Sequence, residues 1–249
     1  MFDATYSRLR RMFKKYEAAG VAPEDFYGRN PRAGKTYEEQ FGEAARFSAA
    51  IGAPVAAVEW QSAPVLHADT LPRVEQMLRA AGVRDLRDSA QQCLKWSAWL
   101  QPHVERTFNV PAILTIGQLW YEDKALFSPD WGQLHRMYAN GFTLDDFGRT
   151  GGGVNFHAWL TLGSGEIFDF TLLSSLALAL PRQWGPLAGH ALGGYPEEVM
   201  ERHRFVPMVL GSAYAERVSN NSPVRLLARG PEELSELPQF LAAVPIGFR

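Results

Sequence analysis

The chain has 249 residues, long enough to bury a sizeable core, and its 46% hydrophobic and 21% charged content is that of an ordinary globular protein. With 25 basic against 27 acidic side chains, neither nucleic acid nor an anionic surface is expected as the main partner. One cysteine excludes an internal disulfide and fits a reducing compartment.

The start, MFDATYSRLRRMFKKYEAAG, has no apolar h-region and does not read as a secretory signal. Residues 4–18 suggest an amphipathic helix with Tyr6, Leu9, Phe13 and Tyr16 on one face. Further helices are expected over 37–50 and 71–81. From about residue 88 a helix around Cys93 leads into NVPAILTIGQLWYEDKALF (109–127), which reads as strand, turn, strand. Pro102 should kink or end that helix, with HVERTF continuing after the bend. Residues 128–150 are rich in turn formers and end at Gly151-Gly152-Gly153, a candidate mobile segment over a cleft. VNFHAWLTLGSGEIFDFTLL then forms the clearest strand pair, and RFVPMVLGS (204–212) a further strand that Pro207 assigns to an edge. The longest apolar run, LLSSLALALP (172–181), ends at a proline and is too short to span a bilayer. The expectation is a soluble, cytoplasmic, single α+β domain. Residues 1–87 are mainly helical and 88–249 form the α+β core.

GRNPRAGKT (28–36) superficially resembles a phosphate-binding loop through Gly34-Lys35-Thr36. The position five residues before Gly34 holds Arg29, however, and no buried strand precedes it, so the stretch reads as a polar turn before the helix at 37.

The chemistry concentrates in HAWLTLGSGEIFDFT (157–171). If Gly163-Ser164-Gly165 is a three-residue hairpin loop, Leu160 pairs with Phe168 and Ala158, Leu160, Leu162, Phe168 and Phe170 form one apolar face. His157, Trp159, Thr161, Ile167 and Asp169 then share the other face. His157 and Asp169 become diagonal neighbours roughly 7–8 Å apart at Cα, a gap an imidazole and a carboxylate can bridge. An aspartate inside the apolar run EIFDFTLL is costly unless it is paired.

A His–Asp pair is what a thiol nucleophile requires: the imidazole takes the thiol proton, and the carboxylate fixes its tautomer and stabilises its charge. In RDSAQQC, Ser89 is a candidate helix cap, with Gln92 three residues on completing a capping box. A helix starting instead at Gln91 or Gln92 would set Cys93 in the first turn, where the dipole favours a thiolate most.

The order C93-LKWSAWLQPHVERTFNVPAILTIGQL, then H157-AWLTLGSGEIFDFT, resembles the core of the transglutaminase-like branch of papain-type cysteine enzymes. The likeness covers residues 88–172, about a third of the chain. It departs from the pattern at Gln91-Gln92, which replace a small residue before the cysteine, at Pro102, and in the long 128–153 insertion. The resemblance implies a papain-like core, a nucleophile helix packed on an antiparallel sheet, with Cys93 as nucleophile, His157 as general base and acid, and Asp169 as the orienting group.

The expected activity is acyl transfer on a peptide, protein or small amide through a thioester, as a protease, deamidase or transglutaminase, without cofactor or metal. The alternative is a non-catalytic interaction protein that keeps the fold. The backbone N–H of Cys93 is the first oxyanion donor, with Gln91, Gln92, Trp96 and Gln118 as second candidates. Trp159 and Trp131 are candidate floors of a substrate groove. Glu166 is expected to be solvated in the turn. His67, His103, His135, His190 and His203 lack metal-ligand spacing. Oligomeric state and export as an effector stay open.

Overall fold

The computed structural model describes residues 21–32, 36–55, 63–143, 146 and 154–236. The helix expected over 4–18, Gly34-Lys35 and Gly151-Gly152-Gly153 lie outside the described residues.

Helix α1 (Tyr37–Ala50) begins at Thr36, whose hydroxyl accepts from the Glu39 amide while the Glu39 carboxylate returns to the Thr36 amide. The polar stretch before it ends as the cap of a helix. Helix α2 (Leu71–Ala80) follows, then α3 (Cys93–Phe108), which closes on Asn109 in a left-handed conformation. Pro102 neither ends nor breaks α3: the helix carries it on its exposed side and continues to Phe108. Strands β1 (Ala112–Tyr121) and β2 (Lys124–Phe127) form the expected hairpin.

The stretch after β2 contains a helix that was expected to be irregular, α4 (Trp131–Asn140), capped by the Asp130 carboxylate on the Gln133 amide at 2.6 Å. Strands β3 (His157–Leu162) and β4 (Ile167–Asp169) come next, then α5 (Leu172–Ala179) and the short α6 (Pro181–Trp184). Strands β5 (Leu192–Gly194) and β6 (His203–Leu210), α7 (Ser212–Asn221) and a last turn α8 (Glu233–Glu236) complete the order.

The six strands form one open antiparallel sheet, and the protein is of mixed α+β class. One edge of β1 takes β6; the other takes β3 along residues 112–117 and β2 along 119–121. The end of β2 therefore abuts the start of β3. Within the β3–β4 hairpin Leu160 faces Phe168 and the Leu162 amide bonds Glu166 O at 2.8 Å, the register read from the sequence. Gly165, at φ +85°, supplies the left-handed residue of the turn. β6 has only β1 as a partner among the described residues, so Pro207 does sit on an edge strand, at a bulge opposite Gly117. Gly117 is required there: a Cβ would lie 2.0 Å from Val206 O.

Strand alternation separates two cores. Ala112, Leu114, Ile116, Ala158, Leu160, Leu162 and Phe168 point to the face covered by α3 and join a large cluster reaching from Phe26 to Leu234. Ile113, Leu119, Trp159, Ile167 and Phe205 point to the other, with Tyr37, Phe41, Ala44 and Ala45 of α1. No helix among the described residues is long and apolar enough to cross a membrane.

Candidate active site

Cys93 is the first residue of α3, with Gln92 at the cap position. The first bond of the helix runs from the Trp96 amide to Gln92 O, so the amides of Cys93, Leu94 and Lys95 precede it and lie at the positive end of the dipole. The start at Ser89 is corrected for a physical reason. Ser89 ends a 3₁₀ turn (Leu86–Ser89) that does not run on into α3, and its buried hydroxyl lies against Leu86 O at 2.6 Å and Phe170 O at 2.8 Å.

The contact with Phe170 O belongs to a set that joins the loop before the thiol to the segment after Asp169. Ser174 Oγ donates to Leu86 O, and Ser175 Oγ accepts from the Gln91 amide at 2.8 Å while donating to Thr171 O. Gln91 sits at φ +62°, a region glycine enters freely and glutamine does not, and the Ser175 bond holds it there. Three hydroxyls thus fix the position of Cys93 relative to β4. Ser174 and Ser175 escaped the sequence reading because they stand inside an apolar run; the only signal was two hydroxyls on an otherwise greasy helix.

His157 opens β3, paired with Gly117. Its Nε2 donates to Asp169 Oδ2 at 2.5 Å in a fully buried contact. Asp169 Oδ1 accepts three further bonds, from the Thr171 amide (2.9 Å), the Thr171 hydroxyl (3.1 Å) and the Leu172 amide (3.1 Å). With Nε2 committed to Asp169, Nδ1 is the ring nitrogen left for Cys93, which lines the same cleft as the imidazole. The ring is stacked on Phe127 from the end of β2 (centroids 5.5 Å apart) and on Trp159 (5.9 Å).

Burial opposes a charge on this imidazole, but the Asp169 carboxylate beside it, which accepts the Nε2 hydrogen bond, outweighs that with a smaller contribution from Cys93 and pushes its pKa up to about 10. Burial likewise works against the Asp169 carboxylate, and the imidazolium with the bonds from Thr171 and Leu172 holds its pKa below the ordinary value. The buried pair is therefore ionic at neutral pH.

Cys93 and His157 line a cleft that is partly open to solvent, with walls of Leu94, Phe127, Phe142, Val154, Phe156 and Leu226. Gln91, Gln92, Lys95 and Ser175 supply its remaining polar groups.

The structure brings Cys93, His157 and Asp169 together and sorts the secondary candidates. Gln92 lines the cleft, but its Nε2 donates to Asp88 O at 2.7 Å, and its buried Oε1 has no partner among the described residues. With Nε2 directed to Asp88 O and Oε1 buried, the side chain is not placed as an oxyanion donor. The Gln91 amide is committed to Ser175. Gln118 is spent on Pro129 O and Trp120 Nε1, away from the cleft. Trp96 is buried in the large core. Trp159 lies under the imidazole with Nε1 bonded to Tyr37 Oη, and Trp131 packs on Phe26 and Phe47, so neither floors the cleft.

Glu166 is buried rather than solvated: it accepts from the Val65 and Leu66 amides (2.6 and 3.0 Å) and from Ser164 Oγ (2.6 Å), fastening the 65–66 segment to the hairpin turn. Among the described residues no three His, Cys, Asp or Glu side chains are grouped to hold a metal ion. Comparison with protein-family models, curated proteins and solved structures finds no match for the chain.

Proposed function

We propose that this chain is a cysteine-dependent acyl-transfer enzyme with a papain-like, transglutaminase-like core, acting on an amide carbonyl through a thioester. The observation that carries the reading is a buried His157–Asp169 pair lining one cleft with a thiol on the first residue of a helix. His157 takes the Cys93 proton, and the sulfur forms a bond to the carbonyl carbon. The C–N bond then breaks, and the amine leaves with the proton from His157. Water or a second amine, deprotonated by His157, attacks the thioester and returns the thiol. The Cys93 amide at the helix N-terminus stabilises the oxyanion.

The test is the rate of Cys93 alkylation by iodoacetamide between about pH 5 and about pH 9, in the wild type and in His157→Ala. A profile that stays high at acid pH and is lost in the variant supports the relay. A rate that rises only near the ordinary thiol value of about 8.5 in both proteins refutes it.

A further inference from the structure

The cleft beside Cys93 has a composition that selects a substrate. Six of its lining side chains, Leu94, Phe127, Phe142, Val154, Phe156 and Leu226, are apolar, and none of the twelve is a carboxylate. Its ionisable groups are Cys93, His157 and Lys95. The thiol and imidazole belong to one another. Lys95 does not belong to that pair.

Lys95 lies two residues along α3 from the thiol and is buried, an uncommon setting for a lysine without an ionic partner. Its Nζ donates to Glu233 O (3.1 Å) and Leu234 O (2.7 Å) of α8. Both are neutral carbonyls, and no carboxylate lies within ion-pair distance among the described residues. Burial lowers its pKa to about 8, against the more distant carboxylates of Glu233 and Asp88. A buried ammonium whose charge is left unmatched on the wall of a cleft is the complement of an anion that is not part of the chain.

We infer that the cleft takes an acyl compound with an apolar, aromatic-sized body and one carboxylate, the body seated among Phe127, Phe142, Val154, Phe156 and Leu226 and the carboxylate matched by Lys95. The imidazolium is matched by Asp169, so the ammonium of Lys95 is the charge on the wall that disfavours a cationic substrate. The inference rests on the acyl-transfer reading and deepens it.

The probes are three thiol alkylators that differ only in these features: iodoacetamide, N-iodoacetyl-phenylalaninamide and N-iodoacetyl-phenylalanine. In each, the Cys93 sulfur forms a bond to the methylene carbon and iodide leaves. Labelling of the full chain, followed by mass, is expected to be about tenfold or more faster with phenylalaninamide than with iodoacetamide, from burial of the phenyl group. Replacing the carboxamide by the carboxylate should add about another tenfold, from a desolvated charged pair. Lys95→Gln, which retains a donor for the carbonyls of α8, and Lys95→Met should both lose the carboxylate preference.

Equal rates for the matched phenylalanine reagents in the wild type overturn the inference whether or not the variants fold, and so does a preference that persists in either variant. The pH profile with plain iodoacetamide reports separately on the Cys93–His157 relay, so a failure of the relay is distinguishable from a failure of the substrate assignment.

Discussion

Asp169→Asn isolates the charge of the acid from its shape. Oδ1 of Asp169 accepts from two amides and a hydroxyl, so position 169 must keep an oxygen on that side. An asparagine is then forced to turn its NH₂ toward His157. The ring can no longer donate from Nε2; it must accept there and carry its proton on Nδ1, facing the thiol. In that tautomer it cannot take the thiol proton. The imidazolium also loses the carboxylate that offsets its burial, so its pKa falls from about 10 to below the ordinary histidine value.

The consequence for alkylation follows. A thiol without a partner is only about 0.1% ionised at pH 5.5. In the proposed relay a charged imidazole beside the sulfur favours the thiolate, and a thiolate stabilised in that way is intrinsically less nucleophilic. Asp169→Asn should therefore slow iodoacetamide at pH 5.5 by about tenfold and react as fast as the wild type or faster above about pH 9, so that the two profiles cross. Turnover of an amide substrate should fall by about 10²–10⁴. Stopped-flow or mass-resolved labelling at each pH reads the crossing. A variant profile superimposable on the wild type, or displaced equally at every pH, would refute the relay.

Further outcomes are expected. The raised His157 pKa stabilises the fold fully below the unfolded value of about 6.5 and loses that contribution as pH climbs through about 10, whereas the lowered Asp169 pKa contributes above its unfolded value of about 4 and is lost below it. Urea unfolding should thus show the pair's contribution greatest between about pH 4 and 6.5 and declining by a few kcal/mol (order of magnitude) toward pH 10, a slope His157→Ala removes. Gly117→Ala should cost about 2–4 kcal/mol in thermal denaturation, because its methyl cannot fit beside Val206 O without moving β6. Glu166→Gln turns an NH₂ toward amide donors and should cost about 1–3 kcal/mol, with faster amide exchange at Val65 and Leu66. Ser175→Ala removes the hydroxyl that accepts from the Gln91 amide in its left-handed conformation. It should slow Cys93 alkylation at acid pH while the far-ultraviolet spectrum stays unchanged.

The hairpin was legible because each of its determinants is local. The alternation of HAWLTL and IFDF fixes the faces, and Gly165 fixes the turn, so the His157–Asp169 contact followed from counting. The start of α3 stayed open between Ser89 and Gln91 or Gln92, since the Ser89 turn is tied by its hydroxyl to Phe170 O, 81 residues away, a contact no local pattern announces. Helix α4 was hidden by Trp131 and Gly132 in its first turn, although Asp130, Leu134, Met137 and Gly141 carried the cap, the apolar spacing and the exit. Glu166 looked solvated because its neighbours in sequence are turn residues; the amides that bury it come from 65–66. The secondary polar candidates failed for a similar reason. Gln118 and Trp159 face the correct region of the sheet, but partners elsewhere consume them.

The position of the dyad also explains its charge. Cys93 belongs to the helix covering one face of the sheet, and the ring contacts of His157 are with Phe127, Trp159 and Phe205 on the other. They meet only where β2 ends and β3 begins, so the imidazole is enclosed by apolar groups and kept charged by its two partners alone. In the proposed cycle, acylation neutralises the sulfur and removes one of them. Burial then acts against a proton held by Asp169 only, and the ring gives it up more readily at the stage when the leaving amine needs it. Asp169 cannot follow by taking the proton itself, because three donors on Oδ1 keep it a carboxylate. The ring is then free to accept a proton from water or an amine, and regeneration of the thiolate restores the charge that holds it. The enclosure that makes this pair costly to bury therefore moves the proton in step with the state of the sulfur.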